Sequence, residues 1–221
     1  MKTLTLVSLL VIAINPGNLY AAILFESGTL GPTGINLSYG EAPGTFVKDS
    51  VFVGVRFEIG QRAQTTHVGG HFAAVDGGGF GNGGTFFGAL IKLNGEDDFP
   101  DSDNLSTPDV LGATVLTFPI FSDEVFGELA VQLDSGWYAL VFGSHLFGAT
   151  GHGGAVRNGL DIGDPSYIGF GPNLDWFNLD IFQTFFDNHR FVVKGISVPE
   201  PSMGGLCLLL FVGFGPLRRA R

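Results

Sequence analysis

The chain has 221 residues and a formal net charge of −10, and it contains 35 glycines, 22 phenylalanines and one cysteine. Residues 23–197, called the body below, hold seven of the eleven basic and twenty of the twenty-one acidic residues, a balance of −13. Such an acidic surface disfavours binding to nucleic acid or anionic lipid, because both are negatively charged. The single cysteine, Cys207, lies outside the body, which therefore has neither a disulfide nor a thiolate metal site.

Residues 1–22 have the order of features of a secretory signal peptide. Lys2 gives a basic start, residues 4–14 form an apolar run, residues 15–18 interrupt it, and small residues follow up to Ala22. This apolar run is too short to cross a bilayer as a helix. We therefore expect the chain to be exported and cleaved after Ala22, with cleavage after Ala21 as the alternative.

The body is predicted to consist of short strands separated by Gly, Pro and Asp turns. Residues 51–59 alternate with a period of two, with large apolar residues on one face and Arg56 and Glu58 on the other, which predicts a half-buried strand. Residues 137–142 are apolar on both faces, which predicts a central strand that is buried on both sides. Further strand candidates lie at residues 23–26, 35–39, 65–75, 85–93, 110–118, 125–133, 166–170, 177–185 and 190–197.

Residues 143–163 are rich in glycine and are expected to be irregular. The body shows no long stretch with the 3.6-residue period of an amphipathic helix. Strands at this spacing with polar turns are typical of an antiparallel β-sandwich, here with jelly-roll-like connections. The predicted fold is one all-β domain over residues 23–197, preceded by the signal peptide and followed by a single hydrophobic helix.

An acidic loop over residues 95–108 is the strongest candidate for a metal site. Its carboxylates offer oxygen ligands of the kind that Ca²⁺ prefers, although their spacing is not that of an EF-hand. The alternative interpretation, a solvated acidic loop that keeps the protein soluble, is favoured over calcium binding. The five candidate ligands are Glu96, Asp97, Asp98, Asp101 and Asp103.

No catalytic residues and no cofactor other than this candidate calcium are assigned. His67 and His71 would lie roughly 13 Å apart on one strand face, which is too far for one metal ion. Ser144 and His145 are adjacent, without the Gly-x-Ser-x-Gly elbow of a hydrolase. The glycines of residues 77–84 match no phosphate-binding pattern. A hydrolase that uses paired carboxylates stays open, because their separation depends on the fold.

Trp176 is the best candidate for a glycan contact. Asn173, Asp175 and Asn178 surround it with polar groups, as expected for a ring that stacks on a sugar. Packing in the core is the favoured alternative for this side chain.

The C-terminal segment, residues 198–221, combines a rigid turn, an apolar run and a basic end. Residues 201–217 are uncharged and, at about 25 Å as a helix, reach the short end of what can span a bilayer. A basic end would stay on the cytoplasmic side of the membrane. The turn is Val198, Pro199, Glu200, Pro201 and Ser202, and the basic end is Arg218, Arg219, Ala220 and Arg221.

This segment resembles the PEP-CTERM sorting signal of Gram-negative bacteria, whose proteins are processed near the motif by an exosortase, a membrane-embedded cysteine transpeptidase. The resemblance implies export through the inner membrane, temporary anchoring through residues 201–217, and release to the cell surface or extracellular matrix. It also implies two processing partners, signal peptidase and the exosortase. Parts of the body resemble stretches that recur in uncharacterised PEP-CTERM proteins: residues 68–71, 136–144, 146–151 and 190–195, with Tyr167, Ile168 and Trp176.

The expected function is a structural or adhesive role at the cell surface, linked to exopolysaccharide, and not an enzymatic one. The alternative is a glycan-binding module with a calcium loop, and a secreted hydrolase is the third hypothesis. Polysaccharide is thus a candidate ligand, and nucleic acid is not.

Overall fold

A computed structural model of the chain describes residues 21–30, 45–74, 82–157, 159–171, 174–179 and 188–198. In these residues the regular elements are strands and no α-helix occurs. The strands are β1 (Ala22–Glu26), β2 (Gly28–Leu30), β3 (Thr45–Val47), β4 (Phe52–Ile59), β5 (Ala63–Ala73), β6 (Thr85–Lys92), β7 (Val110–Thr117), β8 (Asp123–Glu128), β9 (Gln132–Leu133), β10 (Gly136–Gly143), β11 (Gly153–Ala155), β12 (Gly159–Asp161), β13 (Ser166–Gly171), β14 (Leu174–Asn178) and β15 (Phe191–Ser197).

The strands form two large sheets and one small ribbon. Sheet I has the order β1-β15-β5-β11-β3, and β8 and β9 also pair with β5. Sheet II has the order β14-β13-β4-β10-β6-β7, and β2 pairs with β12. The strand pairs are antiparallel. The prediction of an all-β antiparallel protein is therefore confirmed, and the arrangement is consistent with a β-sandwich.

An inner core of aromatic and aliphatic side chains joins the facing surfaces of the two sheets. Phe72 of β5 lies 4.5 Å from Phe86 of β6 and 4.8 Å from Phe142 of β10, measured between ring centroids. Phe191 of β15 lies 5.1 Å from Phe142. These four rings are fully buried. Burial of each contributes about 1.5–3 kcal/mol, so this contact between sheets I and II is a main source of stability.

An outer core covers the opposite face of sheet II. Phe52 of β4, Phe87 of β6 and Val141 of β10 are buried there with Leu105, while Phe99 and Leu146 pack over them. The covering residues belong to two connections, residues 94–109 and 144–150. Sheet II is therefore apolar on both faces, and the loops form a third layer over it. The remaining buried members of the outer core are Ala89, Ile91, Leu93, Ala139, Ala149 and Ile168.

The two strands at the centre of sheet II test the sequence patterns. β10 lies between β4 and β6 and is buried on both faces, as its apolar composition predicts. The prediction for β4 is wrong: it is not half-buried, because the outer core covers the face that carries Arg56, which is only 4% exposed. The alternating pattern did not reveal the burial of this face. A charged residue such as Arg56 is normally interpreted as exposed, although its hydrogen bonds allow it to be buried.

Elsewhere the predicted elements differ from the observed ones mainly at their ends. The candidate at residues 65–75 is β5, Ala63–Ala73, and the one at 125–133 is divided into β8 and β9. The glycine-rich residues 143–163 are not wholly irregular, since β11 and β12 lie in them. The candidate at residues 35–39 lies outside the described residues, as does most of the one at 177–185.

Gly69 and Gly70 show why glycines occur in the middle of β5. A methyl group on Gly69 would run into the carbonyl oxygen of Val125 in β8, and one on Gly70 would run into that of Arg190 beside β15. The backbones of the strands on either side therefore approach β5 too closely for a side chain. Both glycines lie within the strand, in agreement with the strand predicted over residues 65–75.

Candidate functional site

The two ends of the described body lie side by side in sheet I. Ala22 of β1 pairs with Gly195 of β15, and Ile23 pairs with Lys194. The Val198 amide donates to the Arg62 carbonyl at 2.8 Å, directly after β15. The residue predicted for signal cleavage and the first residue of the predicted sorting motif thus lie at the same end of the β1–β15 pair.

Both junctions are open to solvent. Ile23 is 50% exposed and Val198 is 38% exposed. A cleft of about 190 Å³ lies beside them, with a single carboxylate, that of Glu58, in its wall. The cleft has no group of acids, bases or nucleophiles that could form an active site. It lies where β1 begins and β15 ends. Its walls are formed by Ile23, Leu24, Glu58, Ile59, Gly60, Gln61, Ala63 and Ser197.

Most of the predicted targeting residues lie outside the described residues. Of the predicted signal peptide, only the last two positions are described, and of the predicted sorting motif only Val198. No helix within the described ranges is long and apolar enough to cross a membrane. The predicted residues outside them are Pro199, Glu200, Pro201, Ser202, the apolar run 201–217, Arg218, Arg219 and Arg221.

The acidic loop is ordered by its apolar residues, and its carboxylates spread outward. Asp98 accepts hydrogen bonds from the Asn94 amide at 2.7 Å and from Asn94 Nδ2 at 2.9 Å. These bonds, with the Arg56 charge nearby, lower the pKa of Asp98 although its partial burial opposes this. The other four carboxylates of the predicted calcium set are exposed: Glu96, Asp97, Asp101 and Asp103.

The structure does not bring these five residues together as metal ligands. Within the described residues, no three His, Cys, Asp or Glu side chains are grouped so that they could hold a metal ion. The loop is instead held against sheet II by Phe99 and Leu105, and the Arg56 guanidinium lies 5.1 Å from the centre of the Phe99 ring. The favoured alternative, an acidic loop with its charges in solvent, agrees better with this geometry.

Trp176 packs in the outer core. Its ring lies 5.4 Å from that of Phe170 and 6.2 Å from that of Phe52. The indole Nε1–H donates to the Ser102 carbonyl at 3.4 Å, which ties β14 to the acidic loop. The ring and its polar edge are therefore engaged by the protein, as the core-packing alternative predicts.

The structure does not bring His71, Ser144 and His145 into a catalytic arrangement. His71 is buried in β5, whereas His145 is exposed after β10. The buried Ser144 hydroxyl donates to the Thr85 carbonyl at 3.4 Å, so it points to backbone and not to an imidazole. This pair has no nucleophile–base geometry.

A buried polar cluster links β13 to the segments before β2 and β15, and sequence reasoning missed it. The fully buried Ser27 hydroxyl donates to the His189 carbonyl at 2.7 Å and accepts from the Phe191 amide at 2.9 Å. The Tyr167 hydroxyl donates to Asp161 Oδ1 at 2.7 Å and lies 2.8 Å from the same His189 carbonyl. Ser27 and His189 are 162 positions apart, so no spacing pattern could have joined them.

The environment of this cluster shifts two of its pKa values. Burial, aided by the Arg157 charge, lowers the pKa of His189 to about 4, against a raising effect of its hydrogen bond with the Val156 carbonyl. Burial and the Asp161 carboxylate raise the pKa of Tyr167. Ser27 is bonded on both sides to backbone and is inaccessible, so the cluster is suited to holding strands together and not to nucleophilic catalysis.

A neighbouring ion-pair cluster centres on Arg190. Its Nη1 donates to Glu26 at 2.6 Å and to the Gly28 carbonyl at 2.5 Å, and its Nε donates to Glu124 at 2.6 Å. Burial tends to lower the pKa of Arg190, but the bonds to both carboxylates outweigh it and raise the pKa. One guanidinium thereby ties the end of β1 and strand β8 to the start of β15.

A comparison with protein-family models finds no match for this chain. A comparison with curated proteins finds none either.

Proposed function

We propose that the protein is an exported, exosortase-processed component of the cell surface or extracellular matrix, with a structural or adhesive role linked to exopolysaccharide. The observation that carries the proposal is the position of the two junctions. The residue after the signal peptide and the first residue of the sorting motif flank the body on paired strands, and both are exposed. Processing enzymes at a membrane could therefore reach both without unfolding the body.

The fold supports a structural role through its packing. Sheet II is covered on both faces, and two polar clusters fasten the terminal strand β15. We propose in addition that the two sheets form a jelly-roll-like β-sandwich, with the signal peptide before it and a hydrophobic helix over residues 201–217 after it. This helix would be the temporary contact with the membrane.

The glycan-binding alternative has less support, because Trp176 is packed and the acidic loop lacks a ligand cluster. A glycan array probed with the full chain would test it directly. Binding that is lost in Trp176→Ala but kept in Trp137→Ala would favour the glycan-binding module over the purely structural role.

The sorting proposal is tested by the C-terminus of the mature protein. We expect the native host to release a form that lacks Arg221. The Glu200→Ala variant should retain Arg221 and stay with the inner membrane, because the motif is needed for the cleavage that removes the arginines. Fractionation and mass spectrometry of C-terminal peptides measure both. Glu128→Ala is the matched control, since it removes an exposed carboxylate from the body. An intact Arg221 in the released wild-type protein would overturn the proposal.

A further inference from the structure

Strand β7 ends sheet II with an unpaired side. It pairs with β6 alone, and the described part of the chain places no further strand beyond it in this sheet. Edge strands carry a row of unpaired backbone N–H and C=O groups, which can pair with another strand. Proteins commonly block such edges with charges, prolines or bulges.

The register shows which residues face this free edge. The Phe118 amide donates to the Gly84 carbonyl at 2.9 Å, and Thr117 lies opposite Thr85. Because hydrogen bonding alternates along an antiparallel pair, residues 112, 114 and 116 bond to β6. The backbone groups of Ala113, Val115 and Thr117 therefore point away from it, at the free edge.

The edge carries few of the usual protections. Residues 110–117 contain no charge and no proline, in a chain with a net charge of −10. A bulge between the partners Leu90 and Ile91 disturbs only the start of the strand. In sheet I, β8 likewise pairs with β5 alone, but it carries three carboxylates: Asp123, Glu124 and Glu128.

The exposed side chains of β7 extend this uncharged zone. Val115 is 43% exposed and lies opposite Phe87, whose ring is 5.2 Å from that of the 43% exposed Phe147. The apolar zone therefore runs from Phe147 across Val115 to the edge. Two acidic molecules repel each other over most of their surface, but this zone offers a contact without charge.

We propose that two copies of the chain associate by antiparallel pairing of their β7 strands about a two-fold axis at Val115. This register places Val115 beside Val115 and Ala113 beside Thr117, so every residue that faces the free edge in the regular part of β7 gains a partner. The paired segments, residues 113–117 of each copy, carry no charged side chain. A two-fold contact uses the same surface on both copies. Antiparallel pairing of β7 with its own copy about Val115 meets this condition.

Pairing of a single strand buries little area, so the dimer should be weak and dependent on concentration. The proposal concerns the folded body and does not rest on export or sorting. The two proposals can therefore fail separately.

Disulfide trapping tests the register. The full chain would carry Cys207→Ser, which removes the native thiol, and would be studied in detergent micelles because of its apolar run. In this background, Val115→Cys should form a disulfide dimer under mild oxidation, because hydrogen-bonded partners lie about 5.5 Å apart between Cα atoms. Leu111→Cys is the matched control: it is exposed on the same strand, but its two copies would be about 27 Å apart.

Equal trapping at both positions, or none at position 115, would overturn the proposed pairing. A second measurement does not depend on cysteine chemistry. Sedimentation velocity should show that Val115→Lys shifts the dimerisation midpoint to at least tenfold higher concentration, because two lysines would face each other across the axis. Leu160→Lys, at another exposed apolar position, should sediment as wild type does. A wild-type chain that stays monomeric at every concentration, or binds only a different protein at this edge, would also overturn the proposal.

Discussion

Arg56 shows how a single side chain can hide the burial of a whole strand face. Its Nε and Nη2 donate to Ser166 Oγ at 3.0 and 2.7 Å, and its Nη2 also donates to Asn178 at 2.5 Å. Its Nη1 donates to the Asp98 carbonyl at 3.3 Å. The guanidinium therefore joins β4, β13, β14 and the acidic loop, and it is satisfied without solvent.

We expect Arg56→Ala to destabilise the fold by about 3 kcal/mol, because it removes several buried hydrogen bonds and the packing of the side chain. The measurement is the urea midpoint of unfolding. Arg62→Ala is the control, since its ion pair with Asp134 is more than half exposed and should contribute less than about 1 kcal/mol. Similar losses in the two variants would contradict the assigned role of Arg56.

His189 should make stability depend on pH. Its pKa is about 4 in the folded state, below the ordinary value of 6.5, so the unfolded chain binds the proton more tightly. Its contribution is complete above about pH 6.5 and is lost as pH falls towards 4. The loss should reach about 3 kcal/mol, which thermal or urea unfolding across this range would measure.

His189→Phe keeps an aromatic ring beside Phe191 and Tyr167 and should flatten the pH dependence between pH 4 and 6.5. The control, His145→Phe, makes the same change in an exposed loop. The same flattening in both variants would show that the slope does not arise from the buried ring.

At the scale of elements, the sequence was most informative where the local pattern and the tertiary environment agree. β10 is apolar on both faces and central, as predicted, because its composition states its burial directly. For β4 the pattern failed, because the loops that bury its second face lie 40 or more positions away in sequence. The polar cluster around Ser27 and Tyr167 could not be predicted from sequence for the same reason. Its members come together only through long-range strand pairing.

The acidic loop has a packing role that its sequence did not show. It acts as a lid of the outer core through Phe99 and Leu105, and its exposed carboxylates do not converge. We expect the melting temperature to be the same in millimolar Ca²⁺ and in chelator, because no preformed ligand set exists to bind the ion. Mg²⁺ at equal ionic strength is the control for general screening of the negative charge. A rise specific to Ca²⁺ would restore the calcium hypothesis.

On the scale of the whole molecule, the two outermost described strands belong to the same sheet. The first described strand starts at Ala22 and the last ends at Ser197. The pairing of the two ends was not predictable, since it depends on the strand order of sheet I.

That pairing also orders the folding of the chain in time. β1 is synthesised early, but its partner in sheet I is β15, the last described strand. Ala22 therefore cannot pair with Gly195 until almost all of the body has been synthesised. Forming contacts between residues so distant in sequence carries a high entropic cost of loop closure, so such contacts form slowly. During synthesis, sheet I therefore lacks the β1–β15–β5 pairing until the last strand has appeared, and the inner core stays open at Phe191. A chain that stops before β15 should remain incompletely folded, whereas one that ends just after it contains every strand that the structure describes.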